Sequence, residues 1–282
     1  MLRLVLPKGS LERATLQLFD DADLSVRRSS DVDYRGVVAD PRVTDVTILR
    51  PQEIPRYVAD GLFDVGITGR DWIEETASDV VTLAELHYSK ATARPIRMVL
   101  AVAGDSPVES ISDLPSGVRV HTEYPELTRR FFDRHGLDAR ITLSYGATEA
   151  KIPEIADAVV EITETGRALR AAGLRIVDTI LVSHTELIAN PAAHEDPARR
   201  KAMEQLRTLL TGALEARGRV LVKLNVDGAS LDGVIAILPA LKAPTVSELS
   251  GQDAYAVETV VAKSEINTLI PELVDAGATG II

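Results

Sequence analysis

The stretch ADAVVEITETGRALRAAG, residues 156–173, decides the fold of its region. An apolar run at 158–160 predicts a buried strand, and the acid Glu161 follows it. Residues 163–167 have the composition of a short turn, and the sequence after them favours a helix. Strand, turn and helix start in this order are typical of an α/β layer.

The turn also has the residue types of a phosphate site. Free amides at a helix start, supported by the helix dipole, attract phosphate, and Gly166 permits close approach to the backbone. Thr163 and Thr165 add hydroxyl donors, and Glu161 is placed to bind sugar hydroxyls. These features suit a phosphorylated ribose, which we interpret as 5-phosphoribosyl diphosphate. An ordinary strand-to-helix turn with a helix cap explains the same residues, and that alternative stays open.

Composition limits the class of protein. The 282 residues predict two or three domains, and 45% hydrophobic with 26% charged residues is normal for a globular chain. The formal net charge of −11 disfavours non-specific nucleic-acid binding. The absence of cysteine excludes disulfides, thiolate nucleophiles and Cys-ligated metals. We find no signal peptide or apolar run of membrane-spanning length, so we expect a cytoplasmic protein with no membrane or nucleic-acid partner.

Two α/β lobes are expected in the first three quarters of the chain. Apolar runs at 2–6, 43–49 and 63–68 predict strands alternating with helices, and Asp71 with Glu74 fits a capping box. A second strand series starts near residue 97, and a strand at 175–182 returns the chain to the first lobe. We assign residues 1–94 plus 184–216 to lobe I and 95–183 to lobe II, with a ligand cleft between them.

Residues 217–282 predict a separate small domain. The order β-α-β-β-α-β indicates a ferredoxin-like layer, and it contains no catalytic constellation. We therefore expect a regulatory or assembly role for it.

Four further residues stand at strand-to-helix turns, each with two interpretations. Lys8 suits a diphosphate, or is a solvated lysine in a turn. Arg50 suits a phosphate, or forms a surface ion pair. Gly69 allows close approach of a ligand, or only shapes a turn. Glu149 suits Mg²⁺ or a hydroxyl, or stabilises a helix dipole. The five histidines are scattered without metal-ligand spacing, and we interpret all of them as structural.

Several segments together resemble the ATP phosphoribosyltransferase family. These are LPKGSL (6–11), LRPQEIPRYVADGLFDVGITGRDW (49–72), YGATEAKIPEIADAVVEITETG (145–166) and AILPALKAPTVSEL (236–249). The resemblance covers essentially the whole chain. The chain is similar to the long form of the family, which carries a C-terminal regulatory module. It implies a periplasmic-binding-protein-like pair of lobes plus an ACT- or PII-like domain. The implied reaction joins N1 of ATP to C1 of phosphoribosyl diphosphate with Mg²⁺ and loss of diphosphate, as the first step of histidine biosynthesis.

The resemblance also implies site residues. Lys8 and Glu161 are the expected catalytic pair. The expected substrate-binding residues are Glu164, Thr165, Gly166, Arg167, Ala168, Asp157, Thr163, Arg50, Gly69 and Tyr124. Glu149 is the expected metal ligand, and Asn225 and Thr245 fall where the inhibitor histidine would bind. The implied assembly is a homo-oligomer, from dimer to hexamer.

Two departures from the family pattern concern the site. Many relatives have Lys-Gly-Arg where this chain has Lys8-Gly9-Ser10, so an ATP-contacting arginine is expected elsewhere, such as Arg28 or Arg35 of a neighbouring subunit. The acid before the loop is often Asp and here is Glu161. Two other classes stay open from the residues: a non-catalytic two-lobed binding or sensing protein, and a phosphoribosyltransferase that acts on a free base.

Overall fold

The computed structural model describes residues 1–30, 32–88, 95–239 and 243–282. The predicted end of lobe I at residue 94 and the middle of the 236–249 segment lie outside these ranges. The described chain forms two compact units, Met1–Thr211 and Gly212–Ile282.

Strands and helices alternate through most of the chain. The strands are β1 (Leu2–Pro7), β2 (Val26–Arg27), β3 (Arg35–Val38), β4 (Val43–Leu49), β5 (Val65–Gly69), β6 (Val81–Leu86), β7 (Ile96–Ala103), β8 (Val118–Thr122), β9 (Ala139–Leu143), β10 (Ala158–Thr163), β11 (Leu174–Ser183), β12 (Thr185–Ala189), β13 (Arg219–Asp227), β14 (Thr245–Glu248) and β15 (Ala254–Ala262). The helices are α1 (Glu12–Asp21), α2 (Ile54–Ala59), α3 (Arg70–Thr76), α4 (Pro125–Arg134), α5 (Arg167–Ala171), α6 (Pro191–Glu195), α7 (Pro197–Ala216), α8 (Leu231–Ile237) and α9 (Ile266–Asp275).

The first unit contains two sheets, one for each lobe. In lobe I the strand order is β2-β3-β4-β1-β5-β12-β6. β1 is parallel to β4 and β5, and it is almost continuously apolar because helices cover both faces of a parallel sheet. β12 lies antiparallel between β5 and the edge strand β6, so the chain returns from lobe II into the sheet one strand from its edge.

The sheet of lobe II has the order β11-β7-β10-β8-β9. β10 is its central strand, antiparallel to β7 and parallel to β8. Ala158, Val159 and Val160 are fully buried there. This burial anchors the strand rigidly, so the residues at its carboxyl end are held in a fixed position at the edge of the sheet.

The second unit is a three-stranded antiparallel sheet in the order β13-β15-β14, covered by α8 and α9. Thr279 bridges to Asn225 on the free side of β13, which extends the order to that of a ferredoxin-like layer. Val222, Leu224 and Val226 fill the core. The predicted α/β fold, with two lobes and a C-terminal ferredoxin-like domain, is confirmed.

None of the helices in the described ranges is both long enough and apolar enough to cross a lipid bilayer.

Candidate active site

The loop at residues 163–168 joins β10 to α5 as the sequence predicts, and we call it the phosphate loop. Gly166 has φ +71°, the left-handed conformation that glycine adopts without strain. Its amide donates a 2.7 Å hydrogen bond to Oγ1 of Thr163, which closes the turn. The helix that follows has only five residues. A dipole built from so few peptides is small, so the loop's own amides and hydroxyls are the donors that matter.

Glu161 lies half-buried just before the phosphate loop. Burial raises the pKa of its carboxyl, and the nearby charges of Glu123 and Glu149 raise it further, while a hydrogen bond from Thr148 lowers it. Glu123 and Glu149 therefore lie near enough to Glu161 for their charges to act on it. Such a carboxylate is poorly solvated, so sugar hydroxyls or a cation that approach it gain more than they would at an exposed acid.

A cavity of about 250 Å³ lies between the two lobes of the first unit. Its walls include Gly69, Asp71 and Trp72 of lobe I and Tyr124, Thr163 and Glu164 of lobe II. The structure thus brings four of the predicted substrate-binding residues, Gly69, Tyr124, Thr163 and Glu164, to one cleft. The phosphate loop begins at this wall.

A buried hydrogen-bond network adjoins the cavity. The Asp71 carboxylate accepts bonds of 2.7 Å from the hydroxyls of Tyr124 and Ser183. The predicted capping box is wrong, because Asp71 turns inward to these hydroxyls while Glu74 pairs with Arg70. Burial raises the pKa of Asp71 against the lowering effect of both bonds.

Gly69 is required by this network. A Cβ on Gly69 would come within 2.0 Å of an Asp71 carboxylate oxygen. From the sequence we did not predict that Asp71 and Ser183 take part in this network. The sequence does contain a signal for this arrangement. Gly69 stands directly before a helix whose first turn carries an acid, Asp71, and this pattern indicates a buried carboxylate.

Lys8 and Arg50 lie at the ends of two neighbouring parallel strands. The register pairs Pro7 with Leu49, so the residues that follow each strand are adjacent. The Arg50 guanidinium lies 3.8 Å from the position of a Cβ on Gly9. The Lys8 ammonium lies 4.0 Å from the centroid of the Tyr34 ring. Two positively charged residues therefore follow neighbouring strand ends at one edge of lobe I.

Asp157 lies apart from the other predicted residues. It precedes β10, six residues from Thr163, which places it roughly 20 Å away along an extended strand. Its carboxylate accepts two bonds from the Arg119 guanidinium, of 2.6 and 3.1 Å, and that pairing lowers its pKa. Arg28, named above as an alternative ATP contact, pairs with Glu12 at 3.0 Å.

In the second unit, Asn225 and Thr245 lie on one face of the sheet. The register aligns Asn225 with Ala256 and Ser247, and Thr245 is two residues from Ser247 on the same strand. This face is opposite the apolar core, and both residues are exposed. Two strand spacings and two residues separate them by roughly 12 Å.

Comparisons with known proteins agree with this geometry. The ATP phosphoribosyltransferase family profile matches residues 50–212, and the profile of the HisG C-terminal domain matches residues 216–282. An ATP phosphoribosyltransferase of Pelotomaculum thermopropionicum is 49% identical, covering 100% of this chain and 96% of the relative. That of Chlorobium phaeovibrioides is 45% identical, covering 100% and 95%.

A solved structure is also similar. The ATP phosphoribosyl transferase (HisG:HisZ) complex from Thermotoga maritima includes a chain with a TM-score of 0.64 and 27% identity. The match covers 76% of this chain and 99% of that one. The present chain belongs to the long form of the ATP phosphoribosyltransferase family, the transferases of the first step of histidine biosynthesis.

Proposed function

We propose that the cleft binds 5-phosphoribosyl diphosphate with its 5-phosphate on the phosphate loop and its ribose hydroxyls at Glu161. One observation carries this assignment. A half-buried acid with a raised pKa stands directly before a glycine turn, and the first residues of that turn open onto the cavity between the lobes. Glu164, Thr165, Arg167 and Ala168 complete the loop. Asp157 is left out, because Arg119 occupies its carboxylate.

The nucleotide then enters from lobe I. Lys8 and Arg50 supply positive charge for the diphosphate or for the triphosphate of ATP, and Gly69 and Tyr124 bound the part of the cleft where the adenine approaches. This arrangement holds the two substrates on opposite walls. Holding reactants in line converts an encounter into a near-unimolecular step, which supplies much of the rate.

The reaction requires little covalent participation by the protein. The lone pair of adenine N1 forms the new bond to C1 of the ribose, and the bond from C1 to the diphosphate oxygen breaks with its electron pair leaving on diphosphate. The ribose passes through a state with oxocarbenium character, as in glycosyl transfer generally. Glu161, poorly solvated and negative, stabilises positive charge that develops on the sugar.

Mg²⁺ fits the residues present. Glu161 offers a carboxylate whose pKa is raised by burial and by the nearby charges of Glu123 and Glu149, and Mg²⁺ takes one or two carboxylates together with phosphate oxygens and water. Bound there, Mg²⁺ would neutralise the diphosphate that leaves.

Regulation by histidine belongs to the same proposal. Asn225 and Thr245 are too far apart for one amino acid to bridge them within a single copy of the sheet. A histidine held by both therefore lies between copies of the second unit, which couples inhibition to assembly from dimer to hexamer.

We place the enzyme in the cytoplasm, where ATP is made available for biosynthesis.

The test is the release of diphosphate by the purified full chain mixed with ATP, phosphoribosyl diphosphate and Mg²⁺. We expect turnover that needs all three components and stops when a chelator removes Mg²⁺. Saturable binding of either ligand without diphosphate release would contradict the proposal and favour a two-lobed sensing protein. A second assay offers free purine or pyrimidine bases in place of ATP, and turnover of a base would favour the third class.

A further inference from the structure

Two histidines that are 97 positions apart in the sequence meet at one edge of lobe I. β6 and β12 are antiparallel, with Glu85 opposite Glu186 and Leu86 opposite Thr185. His87 and His184 each stand one position beyond the last of these pairs. Directly opposite residues of an antiparallel pair project from the same face, and residues two apart share a face. Glu85, His87 and His184 therefore share one side of the sheet.

The distances between these side chains suit a metal ion. A carboxylate oxygen of Glu85 and a ring nitrogen each of His87 and His184 all lie within 4.8 Å of one another. The two imidazole centroids are 5.4 Å apart and the rings are nearly perpendicular. In a tetrahedral site with bonds of about 2.0–2.1 Å, ligand atoms are roughly 3.3 Å apart. Glu85 and His87 are exposed, so small rotations of their side chains close this gap.

We propose that Glu85, His87 and His184 form a binding site for a divalent transition metal of the zinc class. Two imidazoles and one carboxylate are the donor set of many three-ligand zinc sites, with a fourth position left to water. Imidazole nitrogen selects Zn²⁺, Co²⁺, Ni²⁺ or Cu²⁺ over Mg²⁺, which takes oxygen ligands. This site is therefore distinct in its chemistry from the carboxylates around Glu161.

The surroundings favour a cation. Glu186 is buried on the same face and accepts a 2.7 Å bond from Thr82. Arg70, whose guanidinium lies 3.7 Å from Glu186, is also paired with Glu74, so its charge is offset. A bound metal would tie the edge strand β6 to β12 beyond the end of their hydrogen-bond ladder. It would also add positive charge to the cleft wall, which His87 and His184 line.

The experiment is a Co²⁺ titration of the full chain without a histidine tag, stripped of metal and kept in excess Mg²⁺. We expect visible ligand-field absorption that saturates at one equivalent and is displaced by Zn²⁺. The double variant His87→Gln, His184→Gln should bind more than about 100-fold more weakly, since loss of even an outer partner of a ligand costs about 10–100-fold. The matched control, His135→Gln with His194→Gln, also removes two imidazoles and should bind as the parent does.

Two outcomes would overturn the site. One is no saturable Co²⁺ absorption in the parent protein, and the other is equal affinity in the double variant and its control. If the double variant does not fold, Glu85→Gln replaces it, because this exposed change removes one ligand. It should weaken Co²⁺ binding at least tenfold and shrink the rise in Tm that Zn²⁺ gives the parent. Unchanged affinity and an unchanged rise in Tm would refute the site.

Discussion

The hydroxyl of Tyr124 donates a 2.7 Å hydrogen bond to the carboxylate of Asp71, and this bond joins the two lobes. Asp71 belongs to α3 of lobe I, and Tyr124 stands immediately before α4 of lobe II. Burial raises the pKa of the tyrosine well above its usual range, and the Asp71 charge adds to that effect. The phenol therefore keeps its proton and remains the donor. Glu75 strengthens the same junction, because its carboxylate accepts the amides of Glu126 and Leu127 at the start of α4.

Replacing Tyr124 by Phe should destabilise the fold. The Asp71 carboxylate would remain buried and lose one of its two hydroxyl partners, which costs about 1–3 kcal/mol of unfolding free energy. Urea unfolding of Tyr124→Phe measures this loss. The control is Tyr145→Phe, since Tyr145 is 93% exposed and its change should leave the unfolding midpoint in place. Equal midpoints for both variants would mean that the bond between the lobes contributes nothing.

Replacing Glu161 by Gln should separate activity from stability. A substrate contact made by a charged group is worth about 1.5–3 kcal/mol, so kcat/KM should fall about 10–100-fold. The control is Glu154→Gln, an exposed acid on the same lobe. Near-normal turnover of Glu161→Gln would count heavily against the proposed ribose contact.

The unfolding free energy of Glu161→Gln, compared with that of the parent, should depend on pH in a defined direction. The folded-state pKa of Glu161 is raised, so the folded protein binds a proton more readily than the unfolded chain does. The contribution of Glu161 to stability is therefore greatest below its unfolded pKa and is lost as the pH rises through its folded pKa. Glu161→Gln should remove this loss, so the variant's unfolding free energy, relative to the parent's, should increase with pH across this window. Urea unfolding at several pH values measures the difference, and a difference that decreases with pH would contradict the assignment.

Gly166 and Gly173 form a matched pair for testing the phosphate loop. Both have positive φ, +71° and +75°, so an added Cβ costs roughly 1–2 kcal/mol at either position. A Cβ on Gly166 would also come within 2.9 Å of the Arg170 guanidinium and 3.1 Å of Ile176, whereas one on Gly173 meets nothing within 4 Å. Gly166→Ala should raise the KM for phosphoribosyl diphosphate, and Gly173→Ala should not. Equal KM values would place the phosphate elsewhere.

Removing the part of the second unit that follows Gly218 should abolish inhibition by histidine. A chain that ends at Gly218 keeps all of α7 and lacks the sheet that carries Asn225 and Thr245. Initial rates with and without histidine, for the full and the shortened chain, measure the effect. Inhibition that survives in an active shortened chain would place the regulatory site in the first unit.

Much of lobe II and its site could be predicted from local sequence. An apolar run, an acid and a Thr/Gly turn stand next to one another in the chain, so their relation in space follows from strand geometry alone. The placement of Lys8 and Arg50 at neighbouring strand ends could be predicted for a similar reason, because parallel strands place their carboxyl ends at one edge. Short-range patterns of this kind determine which residues flank each turn.

The partners of Asp71 and His184 could not be predicted, because they come from distant parts of the chain. The partner of His184 depends on where β12 enters the sheet, and those of Asp71 depend on how lobe II meets lobe I. The sequence of residues 185–189 contains no pattern that indicates pairing with β6, about 100 positions earlier, rather than with another strand. The histidines therefore looked scattered in the sequence although two of them are neighbours in space. The capping-box interpretation of Asp71 failed for the same reason, since its competing partners, Tyr124 and Ser183, lie 53 and 112 residues away.

The position of β12 has a consequence for synthesis on the ribosome. β5 and β6 are made early, yet they are joined only through a strand that emerges about 100 residues later. Until then β5 presents an open edge, the kind of surface that pairs with foreign strands. Lobe II, whose strands are contiguous from 96 to 183, is complete before lobe I can close. We therefore expect nascent chains released before residue 189 to aggregate, and chaperone demand to be concentrated in that interval.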